Sequence, residues 1–332
     1  MRIPRTVIGS FPKLRDDDIE AIDAVIALQK KFGVDIFTDG EQRGDMIIYL
    51  ARAIPGLSVE NKMPIVSGKV SPPEDPREVH KVADYFMLRK KYPDIKFKVT
   101  LTGPTTLAIS CGSKKLSKDY RSYVDFKLTE DIAYAIKEIV RPLREAKAFV
   151  QIDEPILSQG FRDLKERIRL MDLILEGCDP NLCSTHVCGW LGRQPVLQEL
   201  SKLENLTVLS HAFSAGEEIK NFDLLDRALF EDNGKKLGAG VISVSPIGAE
   251  DIERPEKVSE RLASMVKKMG IENIAYSHPD CGLGATRREF VEGILESFYK
   301  GTELYGSSCK DPGNPPQRKC AGKRTKPPEF SI

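Results

Sequence analysis

The sequence carries almost no net charge, because its 50 lysine and arginine residues face 49 aspartate and glutamate residues, giving +1 with histidine neutral. Such a balance provides no general attraction for nucleic acid or for an anionic membrane surface. Long apolar runs are also missing, since none approaches the ~18–20 residues that span a bilayer. The N-terminus lacks the apolar stretch of a signal peptide, so we expect a cytoplasmic location, with no nucleic-acid or membrane partner.

Cysteine is present in an odd number, seven residues scattered along a chain of 332. A chain of this length buries its own core, which argues against the disulfide framework of small secreted domains. The apolar share of 41% and the charged share of 30% are typical of a globular protein. The composition therefore indicates a globular enzyme whose thiols are available as metal ligands.

Short β-branched runs alternate with longer amphipathic stretches along most of the chain. The eight strand-like runs are Arg5–Ser10, Val34–Thr38, Phe97–Thr102, Phe149–Asp153, Leu182–Val187, Thr207–His211, Gly240–Val244 and Asn273–Ser277. Each is followed by turn residues and then by a helical pattern. Eight strands alternating with helices favour a single parallel (β/α)8 TIM barrel, with a doubly wound open sheet as the competing α/β architecture.

Two segments depart from this alternation. Residues 55–76 form a long excursion after the second predicted strand, and the tail from Cys309 onward is rich in proline and basic residues. The tail has too few apolar side chains to bury a core of its own. We therefore predict one barrel domain over residues 1–305 and a disordered basic tail over residues 306–332.

Histidine and cysteine follow two of the predicted strands, at the end where a barrel builds its active site. His186 and Cys188 lie at the end of strand five, and Cys281 follows strand eight. Imidazole and thiolate are ligands that zinc favours, so these residues and one more would form a zinc site. Such a zinc binds an incoming thiol and holds it as a thiolate nucleophile. The alternative is a buried cysteine beside a hydrogen-bonded histidine, without metal.

Two acids lie at the ends of other predicted strands. Glu41 follows strand two, and Asp153 ends strand four. Close to a metal-bound thiol, two carboxylates are suited to hold a substrate ammonium group. They are equally suited to cap the next helix or to pair with a cation such as Arg43, and spacing alone leaves both interpretations open.

Taken together, these motifs resemble a known family. The segments that carry the resemblance are, in chain order, IGSFPK, DGEQRGDM, LTGPTT, QIDEP, THVCG and SHPDCGLG. They are similar, in the same order, to the catalytic domain of cobalamin-independent methionine synthase. The resemblance implies a (β/α)8 barrel, a zinc ion that binds homocysteine as a thiolate, and a polyglutamylated methyl-tetrahydrofolate as donor. Full-length members carry a further N-terminal barrel, so this chain resembles a short, core form.

The resemblance also implies roles for individual residues. Five match the positions that hold the carboxylate and the ammonium group of homocysteine: Ile8, Gly9, Ser10, Glu41 and Asp153. Three match zinc ligands: His186, Cys188 and Cys281.

The family's fourth zinc ligand, a glutamate on the sixth strand, has no direct equivalent. This neighbourhood reads LSHAFSAG, and depending on the register either His211 or Ala212 takes the glutamate's place. A slip of one residue along a strand turns a side chain to the other face. His211 is the candidate fourth ligand, with a role as a hydrogen-bond partner behind the ligands as the alternative and Glu217 as a weaker substitute.

Further departures fall on the folate side of the family's pattern. Ser110 stands where a tryptophan stacks on the pterin, and Gln159 and Gly68-Lys69 also replace family residues. Val244 stands where a histidine protonates the departing folate nitrogen. Tetrahydrofolate leaves poorly without that proton, whereas cob(I)alamin needs none. The sequence therefore predicts a homocysteine S-methyltransferase whose donor is not folate but methylcobalamin, either free or on a corrinoid carrier protein.

Three other functions stay open at this point. One is a folate-dependent methionine synthase with a rearranged donor site, and another is a thiol alkyltransferase acting on a sulfonate thiol such as coenzyme M. Because a sulfonate requires cations, Glu41 and Asp153 favour an ammonium-bearing thiol such as homocysteine. The last is a non-catalytic partner protein that binds zinc and thiols.

Overall fold

Helices and strands alternate along the part of the chain that the computed structural model describes, residues 2–308. The strands are Ile36–Phe37 (β1), Leu57–Glu60 (β2), Met63–Val66 (β3), Lys96–Thr102 (β4), Phe149–Asp153 (β5), Cys183–Val187 (β6), Val208–His211 (β7), Lys236–Ile242 (β8) and Ile274–Pro279 (β9). The α-helices are Asp18–Lys31 (α1), Met46–Ala53 (α2), His80–Lys91 (α3), Pro104–Gly112 (α4), Phe126–Glu145 (α5), Leu164–Leu175 (α6), Val196–Leu200 (α7), Asn221–Leu224 (α8), Arg227–Asp232 (α9), Pro255–Met269 (α10) and Arg288–Ser308 (α11).

Seven strands form one curled parallel sheet in the order β1-β4-β5-β6-β7-β8-β9. Residues 5–6 bridge its two edges, because Arg5 pairs in parallel with Ser277 of β9 and Thr6 pairs in parallel with Ile36 of β1. The N–H of Thr6 donates to the carbonyl of Ser277 at 2.9 Å, and the N–H of Ile36 donates to the carbonyl of Arg5 at 3.2 Å. The α/β class and the parallel sheet that the sequence predicts are confirmed.

The first predicted strand, residues 5–10, is shortened to these two bridged residues. Beyond Thr6 the backbone carbonyls accept hydrogen bonds from side chains instead of from strand neighbours. The carbonyl of Val7 accepts from Nζ of Lys98 at 2.8 Å, and the carbonyl of Gly9 accepts from Oγ1 of Thr38 at 2.9 Å. Side-chain donors therefore replace the ladder hydrogen bonds of a regular strand.

Helix α10 illustrates how the sequence places helices over the sheet. Pro255 occupies the first turn, where its missing N–H costs no hydrogen bond, and Gly270 ends the helix with a φ of 83°. Val258, Leu262 and Met265 recur at spacings of three and four and are fully buried. The apolar stripe faces the sheet, and the charged residues between these positions face solvent.

The excursion at residues 55–76 contains a β-hairpin, in which β2 and β3 pair in antiparallel register from Leu57–Val66 to Glu60–Met63. Helix α11 runs to Ser308, three residues past the predicted domain boundary at residue 305. The predicted basic tail from Cys309 onward lies outside the described residues. Among the helices of residues 2–308, none is long and apolar enough to cross a membrane.

Candidate metal centre and substrate site

His186, Cys188 and Cys281 lie together at the carboxyl edge of the sheet. His186 is in β6 and Cys188 follows this strand, so their two-residue spacing puts both side chains on one face. Cys281 lies in the turn after β9. The imidazole nitrogen and the two sulfurs all lie within 4.8 Å of one another. The structure thus brings together three of the four predicted metal ligands.

The donor atoms of this cluster fit a zinc ion. Nε2 of His186 is buried and has no hydrogen-bond partner in the part of the chain described, and burial lowers the pKa of His186 well below its usual range. The hydrogen bond between the two thiols lowers the pKa of Cys281 and raises that of Cys188. A neutral imidazole and a thiolate are the donors that zinc prefers, and three protein ligands leave one position for substrate.

The fourth predicted ligand, His211, does not join this cluster. In the sheet register, His186 and Val187 of β6 lie beside Ser210 and His211 of β7. Paired residues of neighbouring strands point to the same face, so His211 points away from the face that carries His186. Its Nδ1–H donates to the carbonyl of Val187 at 3.0 Å. The candidate ligands among the described residues are therefore His186, Cys188 and Cys281, without His211.

Glu41 and Asp153, the predicted ammonium-binding acids, are both buried. The carboxylate of Glu41 accepts hydrogen bonds from Lys81 at 3.2 Å and from Thr100 at 3.1 Å. Asp153 accepts one from Nε2 of Gln151 at 2.6 Å. Burial and the nearby charge of Glu41 raise the pKa of Asp153 well above its usual value, and burial raises that of Glu41. The two acids are thus within electrostatic range of each other.

The buried charges around these acids do not balance. Three buried carboxylates face two buried lysines: Asp39, Glu41 and Asp153, with Lys81 and Lys98. Nζ of Lys81 lies 3.2 Å from both Asp39 and Glu41. Burial lowers the pKa of Lys98, and the nearby charge of Asp153 opposes this shift. With all five groups ionised, the carboxylates exceed the lysines by one charge, and one further cation would offset it.

Residues 8–10, the predicted carboxylate-binding segment, connect the acids with the metal cluster. The carbonyl of Ile8 accepts a hydrogen bond at 3.1 Å from Gln151, whose amide also donates to Asp153. At the other end, Oγ of Ser10 accepts from the N–H of Gly284 at 3.2 Å, in the turn after β9. The segment therefore lies between the two parts of the site.

A cavity of about 350 Å³ adjoins the metal cluster. It is lined by Ser158, Gln159, Gly189, Trp190, Arg193, Ala215, Gly216, Glu217 and Glu218. The N–H of Gly189, the residue after Cys188, donates to Glu218 at 2.7 Å. Glu217, the weaker candidate for the fourth ligand, is exposed and pairs with Lys220. A volume in this range suits a small organic ligand.

The sequence-based predictions do not include Lys98 or Asp280, although both support the site. Lys98 has no distinct sequence signal, since polar and apolar residues alternate along β4, and its Nζ donates to Gln151 at 2.7 Å. Asp280 precedes Cys281, and its carboxylate accepts from the N–H groups of Phe213 at 3.0 Å and Ser214 at 2.8 Å. These bonds fix the turn that carries Cys281.

A curled parallel sheet with a buried imidazole–thiol cluster at its carboxyl edge defines an α/β metalloenzyme. Residues 14–300 match the family model described as the catalytic domain of cobalamin-independent synthase. The chain belongs to this family, and it is a zinc-dependent methyltransferase of the methionine synthase type.

Three relatives named methionine synthase align over most of this chain. The protein of Methanocaldococcus jannaschii is 27% identical over 90% of this chain and 98% of its own length. The protein of Methanothermobacter thermautotrophicus is 30% identical over 87% of this chain and 89% of its own length. The protein of Saccharolobus islandicus is 30% identical over 94% of this chain and 97% of its own length. The structure of a B12-independent methionine synthase from Shewanella sp. W3-18-1, in complex with selenomethionine, has a TM-score of 0.77 at 22% identity and covers 93% of this chain and 99% of that chain. This structural likeness shows the fold.

The predicted methyl donor is wrong. The chain belongs to a family described as cobalamin-independent, so methylcobalamin and a corrinoid carrier protein are not its donor and partner. The prediction relied on Ser110 and Val244, which replace donor-binding residues of the family pattern. A ring can be held by other residues, however, and the cavity beside the cluster offers Trp190 and Gln159. The loss of particular contacts therefore does not identify the donor.

Proposed function

We propose that this chain is a (β/α)8 barrel enzyme of methionine biosynthesis that transfers a methyl group from a methylated tetrahydrofolate to the thiol of homocysteine. The observation that carries the proposal is the cluster of His186, Cys188 and Cys281 within electrostatic range of the buried Asp153. The bridges of Arg5 and Thr6 to both edges of the sheet support the closed barrel. A cytoplasmic location belongs to the same proposal.

The acceptor site suits a thiol that also carries an ammonium group and a carboxylate. Glu41 and Asp153 receive the ammonium group, and residues 8–10 receive the carboxylate through backbone and hydroxyl donors. The thiol then reaches His186, Cys188 and Cys281, which would hold a zinc ion, and this ion would lower the pKa of the thiol and favour its thiolate form. A sulfonate thiol would place its negative charge near buried acids, so homocysteine is favoured over coenzyme M.

The donor site lies in the cavity beside the cluster. Trp190 offers an aromatic surface to the pterin ring, and Gln159 offers an amide that both donates and accepts hydrogen bonds. Arg193 supplies a cation for a carboxylate of the folate tail. In this proposal these residues bind the donor in place of the family residues that are missing at Ser110 and at Gly68-Lys69.

Methyl transfer requires a proton for the departing amine. The thiolate lone pair forms the new bond from sulfur to methyl, the bond from N5 to methyl breaks, and N5 takes up a proton to give tetrahydrofolate. Glu218 is a half-buried acid on the cavity wall, and burial raises the pKa of its carboxyl. It is therefore suited to deliver this proton in place of the family's histidine, which is Val244 here.

The proposal is tested by incubating zinc-loaded protein with homocysteine and methyl-tetrahydrofolate, as monoglutamate and triglutamate, and measuring methionine. We expect methionine to form, and metal-stripped protein to form none until zinc is restored. Replacing Trp190 with leucine should raise KM for the donor and leave KM for homocysteine unchanged. The proposal fails if no methionine forms from either donor although the protein binds zinc and homocysteine.

Acceptor binding should weaken as the pH falls through the raised pKa values of Glu41 and Asp153. Burial raises the pKa of Glu41 and, together with the Glu41 charge, that of Asp153, so both take up protons at a pH above their ordinary values. An ammonium group binds the ionised carboxylates, so affinity is present above these raised pKa values and is lost as the pH falls through them. Calorimetric titration with homocysteine from pH 5 to 8 measures this loss.

The control ligand for this titration is 4-mercaptobutanoate, which has the same thiol and carboxylate but no amino group. Its affinity should change less with pH, because only the thiol and the metal ligands titrate. Equal pH profiles for the two ligands would show that Glu41 and Asp153 do not hold the ammonium group.

A further inference from the structure

A chain of hydrogen bonds leads from the metal cluster across the sheet. Nδ1 of His186 on β6 lies 2.9 Å from Oγ of Ser210 on β7, and this oxygen lies 2.9 Å from Nε2 of His278 on β9. Nδ1 of His278 lies 2.7 Å from the carbonyl oxygen of Pro279. The three side chains are buried, with exposed fractions of 2%, 0% and 0% for His186, Ser210 and His278.

The intervening strand β8 leaves room for this chain of hydrogen bonds. Gly238 of β8 lies beside Ser210 in the register of the sheet, and Gly240 lies beside His278. A Cβ atom on Gly238 would lie 2.8 Å from Cβ of Ser210, closer than carbon atoms approach. Glycine at this position therefore allows the serine and the histidine to meet across a strand that separates them.

The donor and the acceptor of each hydrogen bond can be assigned in turn, starting from the carbonyl of Pro279. The carbonyl of Pro279 can only accept, so Nδ1 of His278 carries the hydrogen. His278 is fully buried and has no acid among its hydrogen-bond partners, so the ring is neutral and its Nε2 accepts from the hydroxyl of Ser210. The single hydroxyl hydrogen is then used, and Oγ of Ser210 accepts from Nδ1–H of His186. Nε2 of His186 therefore carries no hydrogen.

We propose that Ser210 and His278 are positioning residues that fix His186 in the Nδ1–H tautomer and hold its Nε2 lone pair ready for the metal. Nε2 of His186 is buried and unpartnered among residues 2–308, as this role requires. The hydrogen bond made by one ring nitrogen determines which nitrogen binds a metal, and such supporting bonds orient the ligand. The inference rests on the proposed function only in taking His186 as a metal ligand.

The same hydrogen bonds connect two metal ligands that are far apart in sequence. This series of hydrogen bonds begins at His186 and ends at the carbonyl of Pro279, two residues before Cys281. Ser210 and His278 thus tie the strand that carries the imidazole to the strand whose following turn carries a thiol. Removing the Ser210 hydroxyl removes the hydrogen bonds to both histidines. The tautomer of His186 is then no longer fixed and the two strands are no longer joined, so metal affinity should fall.

The test compares the zinc affinity of the full chain with that of Ser210→Ala and of a matched control, Ser184→Ala. Ser184 is also fully buried and lies on β6 two residues before His186, but its hydroxyl takes no part in the hydrogen bonds that join His186, Ser210 and His278. Competition with a chromogenic chelator should show zinc bound about 10–100-fold more weakly by Ser210→Ala. The Ser184→Ala variant should bind zinc as the unmodified protein does.

A second measurement needs no variant. The chain has four histidines, so nitrogen NMR of the metal-free protein can assign each ring, and we expect hydrogen on Nδ1 of His186. The inference is overturned if that hydrogen is on Nε2, if Ser210→Ala keeps its zinc affinity, or if Ser184→Ala loses as much. These readouts use neither donor nor acceptor, so a failure of the proposed methyl transfer would not affect them.

Discussion

Replacing Cys188 or Cys281 with alanine should reduce bound zinc from one equivalent to a trace and abolish methyl transfer. Each thiol supplies one of the three donors that residues 2–308 bring together, all within 4.8 Å of one another. Loss of an outer hydrogen-bond partner of a metal ligand already costs about 10–100-fold in affinity or activity. Loss of a ligand itself should therefore lower activity by more than ~10³-fold, measured as methionine formed per enzyme, with zinc content measured by mass spectrometry.

The matched control is Cys178→Ala, which removes a half-buried thiol outside the cluster. Its pKa is lowered by a hydrogen bond with Cys183, not by a metal ligand. This variant should keep its zinc and its activity. If Cys281→Ala also kept both, the metal centre would not be the one described here.

Replacing Asp153 with asparagine should lower kcat/KM for homocysteine by about 30-fold to several thousand-fold. The change removes a buried negative charge while keeping an oxygen that accepts the hydrogen bond from Gln151. Removing one partner of a buried charge pair costs about 2–5 kcal/mol, because the other charge is left unpaired. In the proposed acceptor site the unpaired charge is the substrate ammonium group, so the loss should appear mainly in the specificity constant.

The acceptor without an amino group provides the control for this prediction. For 4-mercaptobutanoate, the protein and its Asp153→Asn variant should differ little, because this ligand brings no ammonium group to the site. Zinc content should be unchanged in the variant. A loss of equal size for both acceptors would mean that Asp153 acts through the metal cluster or the fold.

The predictions that succeeded depend on local patterns. Alternating strand-like and helical segments are enough to indicate a parallel sheet, and the two-residue spacing of His186 and Cys188 places them on one face of a strand. Cys281 is about 90 residues further along the chain, and only the sheet order brings β9 close enough to β6 for the cluster to form.

The prediction for His211 required information that the sequence does not contain. His211 and Ala212 differ by one position, and the register of β7 against β6 decides which of them faces the cluster. The sequence also did not predict the charges around Glu41. Lys81 and Lys98 lie on a helix and a strand that are distant from Glu41 in sequence, and only the fold brings them close to the predicted acids. Long-range register and pairing therefore determine the details of this site.

The bridging role of residues 5–6 has a consequence for how the protein is made. Arg5 pairs with Ser277, its guanidinium donates to Glu303 at 2.8 Å, and it lies 4.6 Å from the ring centre of Tyr299. Arg5 therefore depends on a partner that lies 298 residues further along the chain, and a growing chain makes that partner much later. Residues 8–10 follow this bridge directly, so until residues 277–303 have been made a growing chain lacks both the bridge between the sheet edges and the proposed acceptor site.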